Sequence, residues 1–121
     1  MRFPQFRLAL IVAVVAAAAA VTGPSQAATL KLRGTVGPGF TIQLKQGLKN
    51  VTKLRPGTYL LVVSDKSQIH DFRIGGPGLN KVVTGVSFVG TKTTKVRLKR
   101  GTYNYVCDPH RTLMHGRFKV G

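Results

Sequence analysis

The chain has no glutamate and no tryptophan, only three aspartates, and a single cysteine among its 121 residues. One cysteine excludes an internal disulfide. No carboxylate pair of the kind used in general acid–base catalysis stands out, so nothing points to bond-making chemistry and a non-enzyme is expected. No segment carries a helical period, no internal repeat emerges and no linker divides the chain. A helix bundle, a solenoid and a two-domain protein are thereby disfavoured.

The longest apolar stretch, Leu8 to Val21, falls short of the roughly 20 residues that a membrane-spanning helix needs. It follows Arg2 and Arg7 and precedes Gly23-Pro24 and Ser25-Gln26-Ala27. A basic start, a short apolar middle and small residues at a cleavage site are the pattern of a secretory signal peptide. We read residues 1–27 as that signal and residues 28–121 as one small domain, destined for a periplasm, a cell envelope or the extracellular space. There is no cysteine after the apolar stretch to accept a lipid, and no twin arginine. A domain of this size lies near the lower limit for an adequate hydrophobic core. In an exported protein a lone cysteine needs protection from oxidation, and metal coordination would supply both protection and a staple.

Positive charge is in large excess, +16 over the whole chain. Loss of Arg2 and Arg7 with the signal would leave 17 basic residues against Asp65, Asp71 and Asp108, a net charge of +14. Such a surface attracts anionic partners over about a Debye length, roughly 8 Å at physiological salt. Acidic redox proteins, anionic envelope polymers and lipid headgroups are the expected classes. Nucleic acid is not expected, because the chain is exported and its basic residues are not interleaved with aromatic ones. Taken singly, most of the lysines suit a solvated exterior, and a monomer is expected.

Period-two alternation dominates after Thr29. Leu30 and Leu32 alternate with Lys31 and Arg33; Phe40, Ile42 and Leu44 alternate with Thr41, Gln43 and Lys45; Val96 and Leu98 alternate with Lys95, Arg97 and Lys99. Tyr59 to Val63 is continuously apolar and suits a deeply buried strand, Phe72 shares a face with Ile74, and Tyr103, Tyr105 and Cys107 are in phase. Turn formers separate these runs, among them Gly37-Pro38-Gly39, Arg55-Pro56-Gly57 and Gly75-Gly76-Pro77-Gly78. Short strands between frequent turns predict an all-β sandwich of about seven or eight strands, with a site in the loops at one end.

The segment "CDPHRTLMHG", residues 107–116, holds the one cysteine, the one methionine after the initiator and two of the three histidines. Cys107, His110 and Met114 offer a thiolate, an imidazole and a thioether on one loop, which Pro109 stiffens. A thiolate, two imidazoles and a weak axial thioether form the ligand set of an electron-transfer copper centre. His70, in "SQIHDFRI", is the remaining histidine and shares its alternation with Phe72 and Ile74, toward the interior. The same ligand types also accept zinc.

"CDPHRTLMHG" with "IHDF" and "YNYVCDPH" resembles the cupredoxins, the blue copper proteins typified by plastocyanin, amicyanin, pseudoazurin and azurin. The resemblance runs from "TLKLRGTVGPGF" to "GRFKVG" and implies a Greek-key β-sandwich, one type 1 copper and single-electron transfer. It assigns His70, Cys107, His110 and Met114 as copper ligands and the edge of His110 as the port for electrons. Three features depart from the family. Three residues separate His110 from Met114, between the amicyanin-like and plastocyanin-like spacings, which leaves His115 as a rival fourth ligand. Asp71 stands where an asparagine is common, so it and Asp108 would bring two carboxylates together unless one takes a proton or a cation bridges them. Arg73 and Arg111 are near in sequence; the alternative is that Asp108 caps its own turn and Asp71 points to solvent. Third, the surface is far more basic than an acidic-patch plastocyanin's. Tyr103 and Tyr105 are read as core residues rather than redox relays. Two other functions use the same features: copper sequestration or delivery in the envelope, and charge-driven binding of anionic polymers.

Overall fold

Alternating burial turns the sequence pattern into two packed sheets. The computed structural model describes residues 29–121, together with residues 2, 4 and 11–15. The signal-peptide segment therefore lies, apart from those few positions, outside the described residues, and no described helix is long and apolar enough to cross a membrane. Ten strands follow in chain order: β1 (Leu30–Val36), β2 (Ile42–Gln46), β3 (Lys49–Asn50), β4 (Lys53–Leu54), β5 (Gly57–Asp65), β6 (Phe72–Gly76), β7 (Leu79–Thr84), β8 (Gly90–Leu98), β9 (Gly101–Val106) and β10 (His115–Val120). One sheet runs β3-β2-β1-β5-β8 and the other β4-β10-β9-β6-β7. Eight strands have five residues or more, close to the seven or eight expected. The additional two, β3 and β4, are two-residue edge pieces in a segment whose sequence shows no alternation.

Both sheets are mixed. β1 runs parallel to β5, and β10 parallel to β4, while the other pairings are antiparallel. The chain passes repeatedly from one sheet to the other, so the core is lined from both sides. Leu32, Leu61, Val63, Val96 and Leu98 of the first sheet meet Phe72, Ile74, Tyr103 and Phe118 of the second. Aromatic rings stiffen the second sheet: Phe72 stacks on Tyr105 at 5.9 Å and Tyr103 on Phe118 at 5.5 Å. The Tyr59 hydroxyl donates to the Arg55 carbonyl at 2.6 Å, the tyrosine-corner arrangement seen in sandwiches. Tyr103 donates to the Pro77 carbonyl at 2.7 Å and accepts the Lys99 N–H at 2.9 Å. That hydroxyl ties the β6–β7 turn to the β8–β9 turn.

Strand directions gather three connections of the site at one end. β1 and β5 are parallel and end together at Val36 and Asp65, and Arg73 near the start of β6 pairs with Val106 at the end of β9. Residues 37–41, 66–71 and 107–114 therefore converge there. A Cβ on Gly37 would lie 3.0 Å from the Ser67 side chain and 3.3 Å from the His70 ring, which measures how closely the first two loops touch.

Gly116 shows how tightly the frame behind this end is packed. It pairs with Tyr105, and a Cβ there would fall 2.1 Å from Tyr105 Cζ. The stacked ring cannot retreat without disturbing Phe72, so Gly116→Ala should destabilise by about 1–3 kcal/mol, the range for overpacking. Thermal unfolding of the variant should show Tm lowered by several degrees; an unchanged Tm would contradict this packing.

Candidate metal centre

His70 lies two residues before the start of β6 and is fully buried. Its ring continues the inward alternation of Phe72 and Ile74, as the sequence pattern predicts. Cys107 follows β9, in phase with Tyr103 and Tyr105, and is also fully buried. The chain then makes one 3-10 turn, Asp108–His110, with Pro109 inside it. The N–H of His110 donates to the Cys107 carbonyl at 3.1 Å, that of Met114 to the His110 carbonyl at 2.8 Å, and that of Cys107 to the Met114 carbonyl at 3.0 Å. Three backbone hydrogen bonds thus close the loop and fix Cys107, His110 and Met114 relative to one another. Met114 is fully buried.

These restraints bring three heteroatoms into a triangle. Nδ1 of His70 lies 3.1 Å from Nδ1 of His110, and Cys107 Sγ lies 3.7 Å and 3.6 Å from the two nitrogens. A point equidistant from all three is about 2.0 Å from each, given those three sides, which is the length of a metal–imidazole bond. Among the described residues this is the group of histidine, cysteine and acidic side chains placed to hold a metal ion. One thiol and two imidazoles, with a buried methionine on the same loop, fit copper in both oxidation states, because sulfur suits Cu(I) and imidazole suits both.

Burial pushes the Cys107 thiol pKa up, and the Asp71 carboxyl adds to the effect, against backbone N–H groups of Asp71 and His110 that pull it down. The metal-free thiol therefore keeps its proton, and a bound cation would displace it. His70 Nε2 is buried without a hydrogen-bond partner. The ring is held instead by packing: Phe40 approaches His70 edge-on at 5.5 Å and His110 at 4.9 Å. Phe40 is a correction to the sequence reading, in which it shared a strand with Ile42 and Leu44. β2 begins only at Ile42, and Phe40, 55% exposed, closes over the two imidazoles. The Gly37-Pro38-Gly39 turn directly before it was the available signal.

His115, the alternative ligand, does not join the cluster. It is exposed, opens β10, and its Nδ1 lies 2.8 Å from the Arg111 carbonyl. The two aspartates do meet. Asp71 is buried and accepts the Asp108 N–H, so it does not point to solvent. Asp108 is bridged by cations: Arg73 Nε lies 2.8 Å and 3.0 Å from its oxygens and Arg111 Nη2 2.7 Å from one of them. Arg73 also donates to Asn80 at 2.9 Å, which anchors the guanidinium to β7.

The pair divides its protons unequally. Burial, then the neighbouring Asp108, raises Asp71 from its ordinary 3.8 to about 6. Burial also pushes Asp108 up, but hydrogen bonds from Asp71, Arg73 and Arg111 outweigh it and hold Asp108 below the usual range. Between pH 3.8 and about 6 the folded protein binds the Asp71 proton and the unfolded chain does not. This group's contribution to stability is thus present at the acid side and is lost as pH rises through that window. Asparagine keeps the acceptor for the Asp108 N–H and removes the titration. In metal-free protein, the Tm of Asp71→Asn relative to the parent should rise between pH 4 and pH 7 and then level; a pH-independent difference would contradict the shared proton.

No family model and no curated protein matches the sequence. Solved structures do. The chain is similar to a rusticyanin variant structure at 26% identity, TM-score 0.57, over 77% of each chain. It is similar to reduced rusticyanin at 25% identity, TM-score 0.57, over 77% of this chain and 79% of the other. Rusticyanin from Thiobacillus ferrooxidans gives the same TM-score at 24% identity, and a further such structure is described as that of a copper protein. A two-sheet sandwich of this topology, with histidine, cysteine, histidine and methionine gathered at the loop end, gives this chain a cupredoxin-like fold and a candidate type 1 copper site similar to that fold's.

Proposed function

We propose that the chain is an exported carrier of single electrons, with one copper ion held by His70, Cys107, His110 and Met114. The triangle of Nδ1, Nδ1 and Sγ atoms carries this reading, since its dimensions already suit a metal without side-chain movement. When bound, copper supplies a one-electron Cu(II)/Cu(I) couple. The protein's part is to keep the donors in place while charge changes. Cys107 contributes a sulfur fixed by the strand β9 and the loop hydrogen bonds; the imidazoles are wedged against Phe40 and each other, with His70 and His110 centroids 4.9 Å apart. Burial of Cys107, His70 and Met114 keeps water from competing for the metal. His110 is only half-buried, and it is the ligand through which an electron reaches the surface. Asp108, clamped by Arg73 and Arg111, secures the first residue of the ligand loop.

Export is supported by the basic start, the apolar stretch of residues 8–21 and the small residues ending at Ala27. A periplasmic or envelope location follows, and the basic surface favours acidic redox proteins as partners. The lack of an acid–base pair in the sequence favours a carrier over an enzyme.

A carrier must hold its metal in both states, whereas a delivery protein must let it go. Voltammetry of the copper-loaded protein should give one reversible one-electron wave, and copper should stay bound after reduction in the presence of a Cu(I) chelator. Release on reduction would turn the reading toward copper delivery. Met114→Leu should shift the midpoint and His115→Ala should leave it unchanged; the reverse would make His115 the fourth ligand.

A further inference from the structure

We propose that the outer face of the β3-β2-β1-β5-β8 sheet is a docking surface for the phosphodiester headgroups of an anionic lipid bilayer. The proposal rests on the reading of the chain as exported and does not depend on the copper centre. On this face Lys31 and Arg33 project from β1, Lys45 from β2, and Lys95 and Arg97 from β8, alternating with the buried Leu32, Leu44, Val96 and Leu98. The register sets them in rows. Lys31, Leu60 and Lys95 lie side by side across three strands, and Arg33 sits between Lys45 and Val62. Neighbouring strands are about 4.8 Å apart and successive outward residues about 6.7 Å, so five cations share one face of the sheet, with Leu60 and Val62 among them.

Among the described residues, nothing neutralises this face. Asp65 and Asp71 are buried, and Asp108 is engaged by Arg73 and Arg111 at the loop end. Among the described residues, none of the five cations has a salt bridge. Arg33 lies directly opposite Lys45, an arrangement of like charges that destabilises a strand pair. An external plane of negative charge relieves that repulsion. The outer face of the second sheet carries one like-charge pair as well, Lys53 opposite Lys119, but there Arg117 and Lys119 alternate with Asn104 and Thr102 across β9, and Gly75 follows on β6.

Lipid suits the pattern better than protein does. Protein interfaces are depleted of lysine at their centres, whereas here cations stand on the central strand β1 and, with those of β8, on both sides of β5. Partly buried Leu60 and Val62 fit an interface where headgroups meet acyl chains. The face is the side of the sandwich and the copper-site loops are its end, so a docked molecule keeps His110 open to a redox partner.

The test uses the exported protein as purified, its N-terminus read by mass spectrometry, and vesicles of phosphatidylcholine with or without phosphatidylglycerol. Binding should need phosphatidylglycerol and be lost near 1 M salt, where the Debye length is about 3 Å. The triple variant Lys31→Gln, Lys95→Gln, Arg97→Gln should bind about a hundredfold more weakly, roughly fivefold per cation. Lys53→Gln, Arg117→Gln, Lys119→Gln removes the same charge from the other sheet and should weaken binding by less than about fivefold. Unchanged Tm in both variants shows that folding is intact. Equal losses in the two variants would reduce the effect to net charge and overturn the proposal. So would an absence of vesicle binding, or a preference for soluble polyphosphate over vesicles, which would give the face to a free polyanion.

Discussion

Two imidazole nitrogens and a thiol sulfur face one another inside the end of the sandwich, and the rest of the structure is arranged around keeping them there. Three such atoms lie within 3.1–3.7 Å of one another, and which of them are hydrogen-bonded depends on the ring nitrogens that carry protons. Buried polar atoms without partners cost stability, so a metal ion is what completes the cluster. The fold carries that cost on strands rather than on loops alone. Cys107 extends β9, His70 leads into β6, and these two strands are hydrogen-bonded neighbours at Arg73 and Val106. The loop that brings His110 and Met114 back is closed by its own backbone hydrogen bonds.

The chain's few acids are part of the same design. With three aspartates against so many cations, their positions dominate local electrostatics. Two form a proton-sharing pair behind the ligand loop, where Arg73 and Arg111 decide which one stays charged. Asp65, at the end of β5, is buried at the same end and accepts the Ser67 N–H at 3.1 Å. Their retreat to this end leaves the sides of the sandwich with basic residues and no acidic ones. One distribution of charge thus serves two purposes: a braced metal centre and a cationic exterior.

Much of this was legible in the sequence because period-two alternation reports burial directly. β1, β5, β8 and β9 lie where Leu32, Tyr59 to Val63, Val96 with Leu98, and Tyr103 with Tyr105 place them. The clustering of sulfur and imidazole in residues 107–114 exposed most of the site, and counting histidines supplied His70. Other features were hidden for physical reasons. β3 and β4 are too short for any period to register. Phe40 continues the alternation of Ile42 and Leu44 on paper, yet the turn before it swings the ring over the histidines. The bracing of Asp108 depends on Arg73, thirty-five residues away, and whether Asp71 keeps a proton depends on burial that no local pattern reveals.

Titration with copper(II), followed by visible absorption and electron paramagnetic resonance, distinguishes a type 1 site formed by Cys107 and two histidines from any other mode of copper binding. A type 1 site gives an intense thiolate-to-copper charge-transfer band saturating at one equivalent, with narrow copper hyperfine splitting, and both are expected to be lost in Cys107→Ser. A colourless or faintly coloured complex, or a band that survives in Cys107→Ser, would contradict it.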